Sequence, residues 1–230
     1  MKKIGLIGGT GPESTIVYYR RLVYDVQKRA GSACFPNLTI ESLSVFDVLN
    51  FCEQGNFSGL TQYLLTGIER LAAAGAQYGA LTGITPHIVF DELAEASPIP
   101  LISMLDTACS YGTEHQFSKI ALFGTLPTMN GTFFQKSFHK AGIQVITPSE
   151  DEKNYIGSKI ETELEYGKII PHTREQFCRI ANRMISEEGA EAVVLGCTEL
   201  PLIFEGTRLS VPYMDVMDIH IQALVNLILE

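Results

Sequence analysis

Gly75-Ala-Gln-Tyr-Gly-Ala-Leu-Thr-Gly83 lies over Gly189-Ala-Glu-Ala-Val-Val-Leu-Gly-Cys197 when the chain is shifted along itself, and both stretches run on to a phenylalanine, Phe90 and Phe204. Two further matches follow the same order at nearly the same offset. Lys3-Ile-Gly-Leu-Ile-Gly8 resembles Lys119-Ile-Ala-Leu-Phe-Gly124, and Thr10-Gly-Pro12 with Tyr18-Tyr19 resembles Thr125-Leu-Pro127 with Phe133-Phe134. Self-similarity of this kind marks a repeated structural unit. In each half, short β-rich apolar runs alternate with stretches of helical period. The runs are Ile4–Ile7, Leu38–Leu43, Ala80–Leu81, Leu101–Ile102, Ile120–Phe123, Val145–Ile146 and Val193–Leu195. Helical spacing appears at Ile16, Tyr19, Val23 and Val26, at Leu60, Leu64, Ile68 and Leu71, and at Phe177, Ile180, Met184 and Ile185. Strand, helix, strand repeated predicts parallel sheets with helices on both faces.

The predicted fold is therefore α/β, with two pseudo-symmetric, doubly wound parallel-sheet domains and the active site in the cleft between them. The first domain comprises residues 1–102 plus 213–230, and the second 103–212. Ser97-Pro-Ile-Pro100 marks the break, since proline ends the helix before it. The final helix, expected from about Asp218 to Leu229, returns to the first domain.

Composition narrows the function. The 230 residues are 46% apolar and 19% charged, which predicts a soluble globular protein and excludes disorder. A net charge of -9, with no basic cluster longer than Arg20-Arg21, argues against nucleic acid and anionic membrane as partners. No apolar run reaches the length of a membrane span, and the short, glycine-rich start is unlike a signal peptide, so a cytoplasmic location is expected. Five cysteines with no zinc-ligand spacing indicate neither a disulfide framework nor a metal site.

Ligands of open parallel sheets bind outside the carboxyl ends of the strands. The expected site is lined by Gly8–Thr15, Thr82–His87, Thr125–Thr128 and Gly196–Glu199. Val193-Val-Leu-Gly-Cys197-Thr-Glu-Leu-Pro-Leu-Ile203 stands out: a β-branched run stops at a glycine, and a thiol, a hydroxyl and a carboxylate follow. A thiol just past a strand, near a helix N-terminus, can have its thiolate stabilised well below the free value. Gly5-Leu-Ile-Gly8-Gly9-Thr-Gly11 invites a dinucleotide-binding reading, but Ser14 takes the place of the third glycine and Pro12 interrupts the turn. A strand-to-helix turn holding a small carboxylate at Ser14 or Thr15 fits better. Thr125 and Thr128 serve equally as carboxylate ligands or as ordinary helix caps.

Gly196-Cys197-Thr198-Glu199-Leu200-Pro201 resembles the second cysteine signature of the aspartate/glutamate racemase superfamily, the cofactor-independent amino-acid racemases. Gly8-Gly9-Thr10-Gly-Pro-Glu13-Ser-Thr, Phe123-Gly-Thr125 with Thr128, and Val211-Pro-Tyr-Met-Asp215 with His220 resemble its other recurrent stretches. The resemblance implies two α/β domains around a cleft, a homodimer, a small carboxylate or amino-acid substrate, and racemisation without pyridoxal phosphate or any other cofactor, by one cysteine on each face of the α-carbon. Where relatives carry Cys-Asn-Thr-x-His, this chain has Gly83-Ile84-Thr85-Pro86-His87, so the first cysteine is a glycine.

Glycine carries no proton, which excludes a symmetric two-thiol mechanism. Thr82 or His87 would then serve the second face beside a catalytic Cys197. Alternatively the reaction needs one proton donor, as in the arylmalonate decarboxylases, or the chain binds a small acid without turnover. Substrate-binding positions implied by the resemblance are Thr10, Gly83, Ile84, Thr85, Thr125, Thr128, Thr198 and Glu199. Between Arg29 and Arg70 there is no Lys or Arg to hold an acidic side chain, leaving Lys153, Lys159 or Lys168 as substitutes.

Overall fold

β1 (Ile4–Gly8) is buried at every position, and its apolar run does not alternate because a parallel strand covered on both faces has no wet side. β2 (Leu38–Ser42) and β3 (Tyr78–Leu81) flank it, and β4 (Leu101–Ile102) lies beyond β3, giving the all-parallel order β2-β1-β3-β4. The computed structural model describes residues 1–31 and 33–230. Its second half repeats the plan: β5 (Lys119–Gly124), β6 (Gln144–Ile146), β7 (Ala192–Gly196) and β8 (Tyr213–Asp215) form a parallel sheet in the order β6-β5-β7-β8. The fold is α/β, with two four-stranded parallel sheets of identical topology. β8 was not among the runs read from the sequence; three residues ending in an aspartate carry too little pattern.

The first sheet is connected by α1 (Pro12–Ala30), α2 (Val45–Glu53), α3 (Phe57–Ala73), a 3₁₀ turn (Thr85–Val89) and α4 (Phe90–Ala96). α5 (Met104–Glu114) leads to the second, which is connected by α6 (Leu126–Asn130), α7 (Phe133–Lys140), α8 (Glu150–Thr162), α9 (Pro171–Glu188) and α10 (Leu200–Phe204) before α11 (Val216–Leu229) ends the chain. Contacts divide the chain into one unit of Met1–Thr107 with Met217–Glu230 and another of Ala108–Val216. The divisions fall inside α5 and at the start of α11, a few residues beyond 102 and 213.

In the first unit, α3 lays Leu60, Leu64, Ile68 and Leu71, all fully buried, against Ile7 and Leu81. Each such side chain contributes roughly 1.5–3 kcal/mol by leaving water. α1 departs from the expected face. Its buried residues include Tyr18, Leu22, Val23 and Val26, whereas Ile16 and Tyr19 are 58% and 51% exposed. α11 packs with this unit: the Lys2 backbone N–H donates to the Ile228 carbonyl at 3.1 Å, and Tyr18 and His220 share a 2.7 Å hydrogen bond. The second core gathers Phe123, Phe177, Met184 and Phe204 around β5 and β7. No helix among the described residues is long and apolar enough to cross a membrane.

Candidate active site

In a sheet of order 2-1-3-4 the chain reverses direction of travel between the first and third strands, and that switch point opens a crevice at their carboxyl ends. Each unit has one such point. In the first, Ile7 pairs with Leu81, so the Gly8–Thr10 loop emerges beside Thr82 and Gly83. In the second, Gly124 pairs with Gly196, so Thr125 emerges on the strand next to Cys197. A Cβ on Gly196 would sit 2.8 Å from the Phe123 carbonyl oxygen, so only glycine lets β7 end this close to β5.

At the second strand end Cys197, Thr198 and Glu199 are half-buried. The Cys197 thiol donates to Glu199 Oε2 at 2.9 Å, and the Thr198 hydroxyl donates to the same oxygen at 2.7 Å. Thr125 Oγ1 and Thr128 Oγ1 are 3.1 Å apart, with Thr128 buried. Burial pushes the Cys197 thiol well up from its ordinary value, and the carboxylates of Glu199 and Glu165 push it further. This direction corrects the expectation of a thiolate stabilised by a helix N-terminus. α10 is only five residues long, so its weak dipole is outweighed by desolvation and two negative neighbours. Cys197 therefore rests as S–H, an acid. Glu165, itself pushed up by burial and by Glu199, was missed in the sequence because it arrives from a separate 3₁₀ turn, Leu164–Tyr166.

At the first strand end the proton-transfer candidates are occupied. Thr82 is fully buried; its hydroxyl donates to the Ile7 carbonyl at 3.1 Å and lies 3.1 Å from Thr15 Oγ1. His87 is buried with both ring nitrogens engaged. Nδ1–H donates to the Gly83 carbonyl at 3.0 Å, and Nε2 accepts the Met104 backbone N–H at 3.1 Å. Burial pushes His87 down to about 4, so it is neutral and fixed in one tautomer. Neither group offers a substrate a proton. Thr82 ties the ends of β1 and β3 together, and His87 positions the backbone of Gly83. Ile84 and Thr85 are half-buried at the start of the 3₁₀ turn, and the Ile84 carbonyl accepts the His87 N–H at 2.9 Å.

Gly83 is more than a missing side chain. A Cβ there would fall 3.0 Å from both the carbonyl oxygen and Oγ1 of Thr10, so the loop after β1 has closed into the space a cysteine would need. Thr10 Oγ1 is buried and has no hydrogen-bond partner among the described residues, the mark of a group waiting for a ligand or a water.

The fold recurs in known proteins. Residues 7–224 match the Asp/Glu/Hydantoin racemase family. The chain belongs to that family. It is 33% identical to PH1733 from Pyrococcus horikoshii OT3, an aspartate racemase homologue, with full coverage of both chains and a TM-score of 0.90. A Yersinia pestis protein described as an Asp/Glu racemase candidate is 29% identical, again over both whole chains, with a TM-score of 0.94. The broad specificity amino-acid racemase RacX of Bacillus subtilis is 20% identical over 215 residues, 92% of each chain. Of the three lysines considered as substitutes, Lys153 and Lys159 are engaged in ion pairs. Lys153 bonds Asn130 Oδ1 at 2.8 Å and pairs with Glu150, Lys159 pairs with Glu163, and Lys168 sits 5.5 Å from the Tyr166 ring centre. Among the described residues no cluster of three or more His, Cys, Asp or Glu is gathered that could hold a metal ion.

Proposed function

We propose that this racemase-family chain is a cofactor-independent isomerase of the racemase type, acting by proton transfer at the α-carbon of a small amino acid, with Cys197 as the protein's proton carrier on one face and solvent serving the other. The observation that carries the reading is the 2.9 Å contact between the Cys197 thiol and Glu199, set against a first strand end whose hydroxyl and imidazole are both consumed internally. Glu199 takes the thiol proton, the sulfur takes the α-proton as the C–H bond breaks, and the electron pair is held as an enolate on the substrate's own carboxylate. A proton returned through the thiol restores the starting configuration with exchange, and a proton from solvent reaching the opposite face of the enolate completes the inversion. Backbone N–H groups and the hydroxyls of Thr10, Thr125 and Thr198 hold the carboxylate and stabilise the developing charge. A homodimer in the cytoplasm, free of pyridoxal phosphate, accompanies this reading, as the family resemblance implies.

A second reading is supported by Gly83 and by the protonated resting state of Cys197: decarboxylation of a malonate-type acid. There the bond to the leaving carboxylate breaks, its electron pair stays on the α-carbon, carbon dioxide departs, and the Cys197 proton fills the vacated position. Incubating enantiopure amino acids and substituted malonates with the protein in heavy water separates the two. The isomerase reading expects α-deuteration that Cys197→Ser lowers by about 10²–10⁴, the usual contribution of a positioned acid or base. Carbon dioxide release from a malonate, with deuterium in the product acid and none in the amino acids, selects the lyase, and neither signal in the folded protein rejects both.

A further inference from the structure

We propose that the first unit carries an apolar substrate pocket at the carboxyl ends of β1 and β2, and that the reacting carboxylate bears a large apolar substituent in place of an acidic one. This rests on the proton-transfer reading above and names its substrate class.

The cavity holds about 600 Å³, within the range of small-molecule sites. Its wall is mostly carbon, from Ile16 and Tyr19 of α1, Ile40 of β2, Leu43, and Val45 and Phe46 of α2, with Ser42, Ser44, Gly9 and Thr15 also lining it. Thr15 connects it to the strand ends. Its Oγ1 accepts the Gly9 N–H at 2.9 Å and lies 3.1 Å from Thr82 Oγ1, one residue from Gly83. Beside Gly9 stands Thr10, with its buried, unpartnered hydroxyl. α1 opens at Gly11 without a side-chain cap among the described residues, leaving first-turn N–H groups for a carboxylate. A carboxyl end bound here and an apolar end lying along the carbon wall use both halves of the pocket.

An acidic side chain finds no partner. None of the lining residues is a cation. Arg20, the next basic group on the helix, lines a different cavity with Tyr24 and Phe35; Arg21 is held by Asp25 at 2.8 Å and Asp218 at 2.7 Å, and Arg70 is held by Glu41 at 2.6 Å. Asp47, next to Phe46 in the chain, brings a carboxylate that accepts from the Tyr63 hydroxyl. Phe46 is 79% exposed at the rim, a large ring that gains by covering an apolar guest.

The test uses the Cys197→Ser protein, which cannot turn over, with phenylacetate and succinate as probes in ligand-observed NMR titrations. Phenylacetate is expected to bind at least tenfold tighter than succinate. Val45→Arg and Phe46→Arg are each expected to weaken phenylacetate at least tenfold and to narrow the gap to succinate. Phe46 is so exposed that its change leaves the core intact, and a thermal melt verifies folding for both. Succinate binding as tightly as phenylacetate, or phenylacetate affinity unmoved by both variants, overturns the proposal. So does a Phe46→Arg protein that sediments as a monomer where its parent is a dimer and binds phenylacetate as before, since the wall is then a subunit contact. Phenylacetate binding without α-deuteration of any amino acid counts against the proton-transfer reading and leaves the pocket standing.

Discussion

Thr10 presses against Gly83 closely enough that a Cβ on Gly83 would lie 3.0 Å from two Thr10 atoms. The glycine and the threonine are thus coupled: the loop after β1 takes up the room that a side chain at position 83 would need. Replacing Gly83 with cysteine alone is expected to cost about 1–3 kcal/mol in chemical denaturation, the usual range for overpacking. Adding Thr10→Ala removes one of the two crowding atoms and should recover part of that loss. A Gly83→Cys protein as stable as the parent would show that the loop yields freely.

Glu199 adds to burial in raising the Cys197 thiol, through its charge and through a direct hydrogen bond. Glu199→Gln removes a negative charge that raises the thiol, so the midpoint of Cys197 alkylation against pH, followed on its own peptide by mass spectrometry, should move to lower pH. α-Proton exchange should fall in the same variant, because the amide cannot accept the thiol proton. An unmoved midpoint would mean that burial alone sets the thiol.

Two buried imidazoles make the first unit sensitive to acid. Burial holds His87 at about 4, and burial with His87 nearby holds His220 at about 3. His220 uses both nitrogens as well, toward the Tyr18 hydroxyl at 2.7 Å and the Ile102 carbonyl at 3.1 Å. Both folded values lie below the unfolded value of roughly 6.5, so the unfolded chain binds the extra protons. The stability is complete above that unfolded value and is lost as pH falls through 6 and 5 toward the folded values. Each histidine contributes a slope of about 1.4 kcal/mol per pH unit there. Urea midpoints between pH 7.5 and 5 should show this fall, and His220→Gln should roughly halve its slope. A flat profile in the parent protein would contradict the buried neutral assignment.

What the sequence could disclose followed from how local each signal was. The repeat placed Gly83 over Cys197 because matching strands end at matching offsets, and the paired sheets put those residues at the same switch point of each unit. The α3 face was legible because Leu60, Leu64, Ile68 and Leu71 sit at helical spacing on one fully buried face of the helix. α1 was misjudged at Ile16 and Tyr19, since apolar spacing cannot tell a core face from one that lines an open pocket. The roles of Thr82 and His87 were hidden for a different reason. Their partners, Ile7, Thr15 and Met104, are brought to them by strand pairing and by the chain's return after β4. Glu165 reaches Cys197 from a turn some thirty residues away in sequence, and no spacing rule points to it.

One-sided proton transfer by Cys197 is tested most directly by comparing two rates on one sample. An enantiopure amino acid is held with the parent protein in heavy water, and α-deuteration by NMR is followed alongside inversion by chiral chromatography. The structure predicts deuterium entering with retained configuration at least tenfold faster than inversion, and both lost in Cys197→Ser. Inversion keeping pace with deuteration, or deuteration surviving in Cys197→Ser, would contradict it.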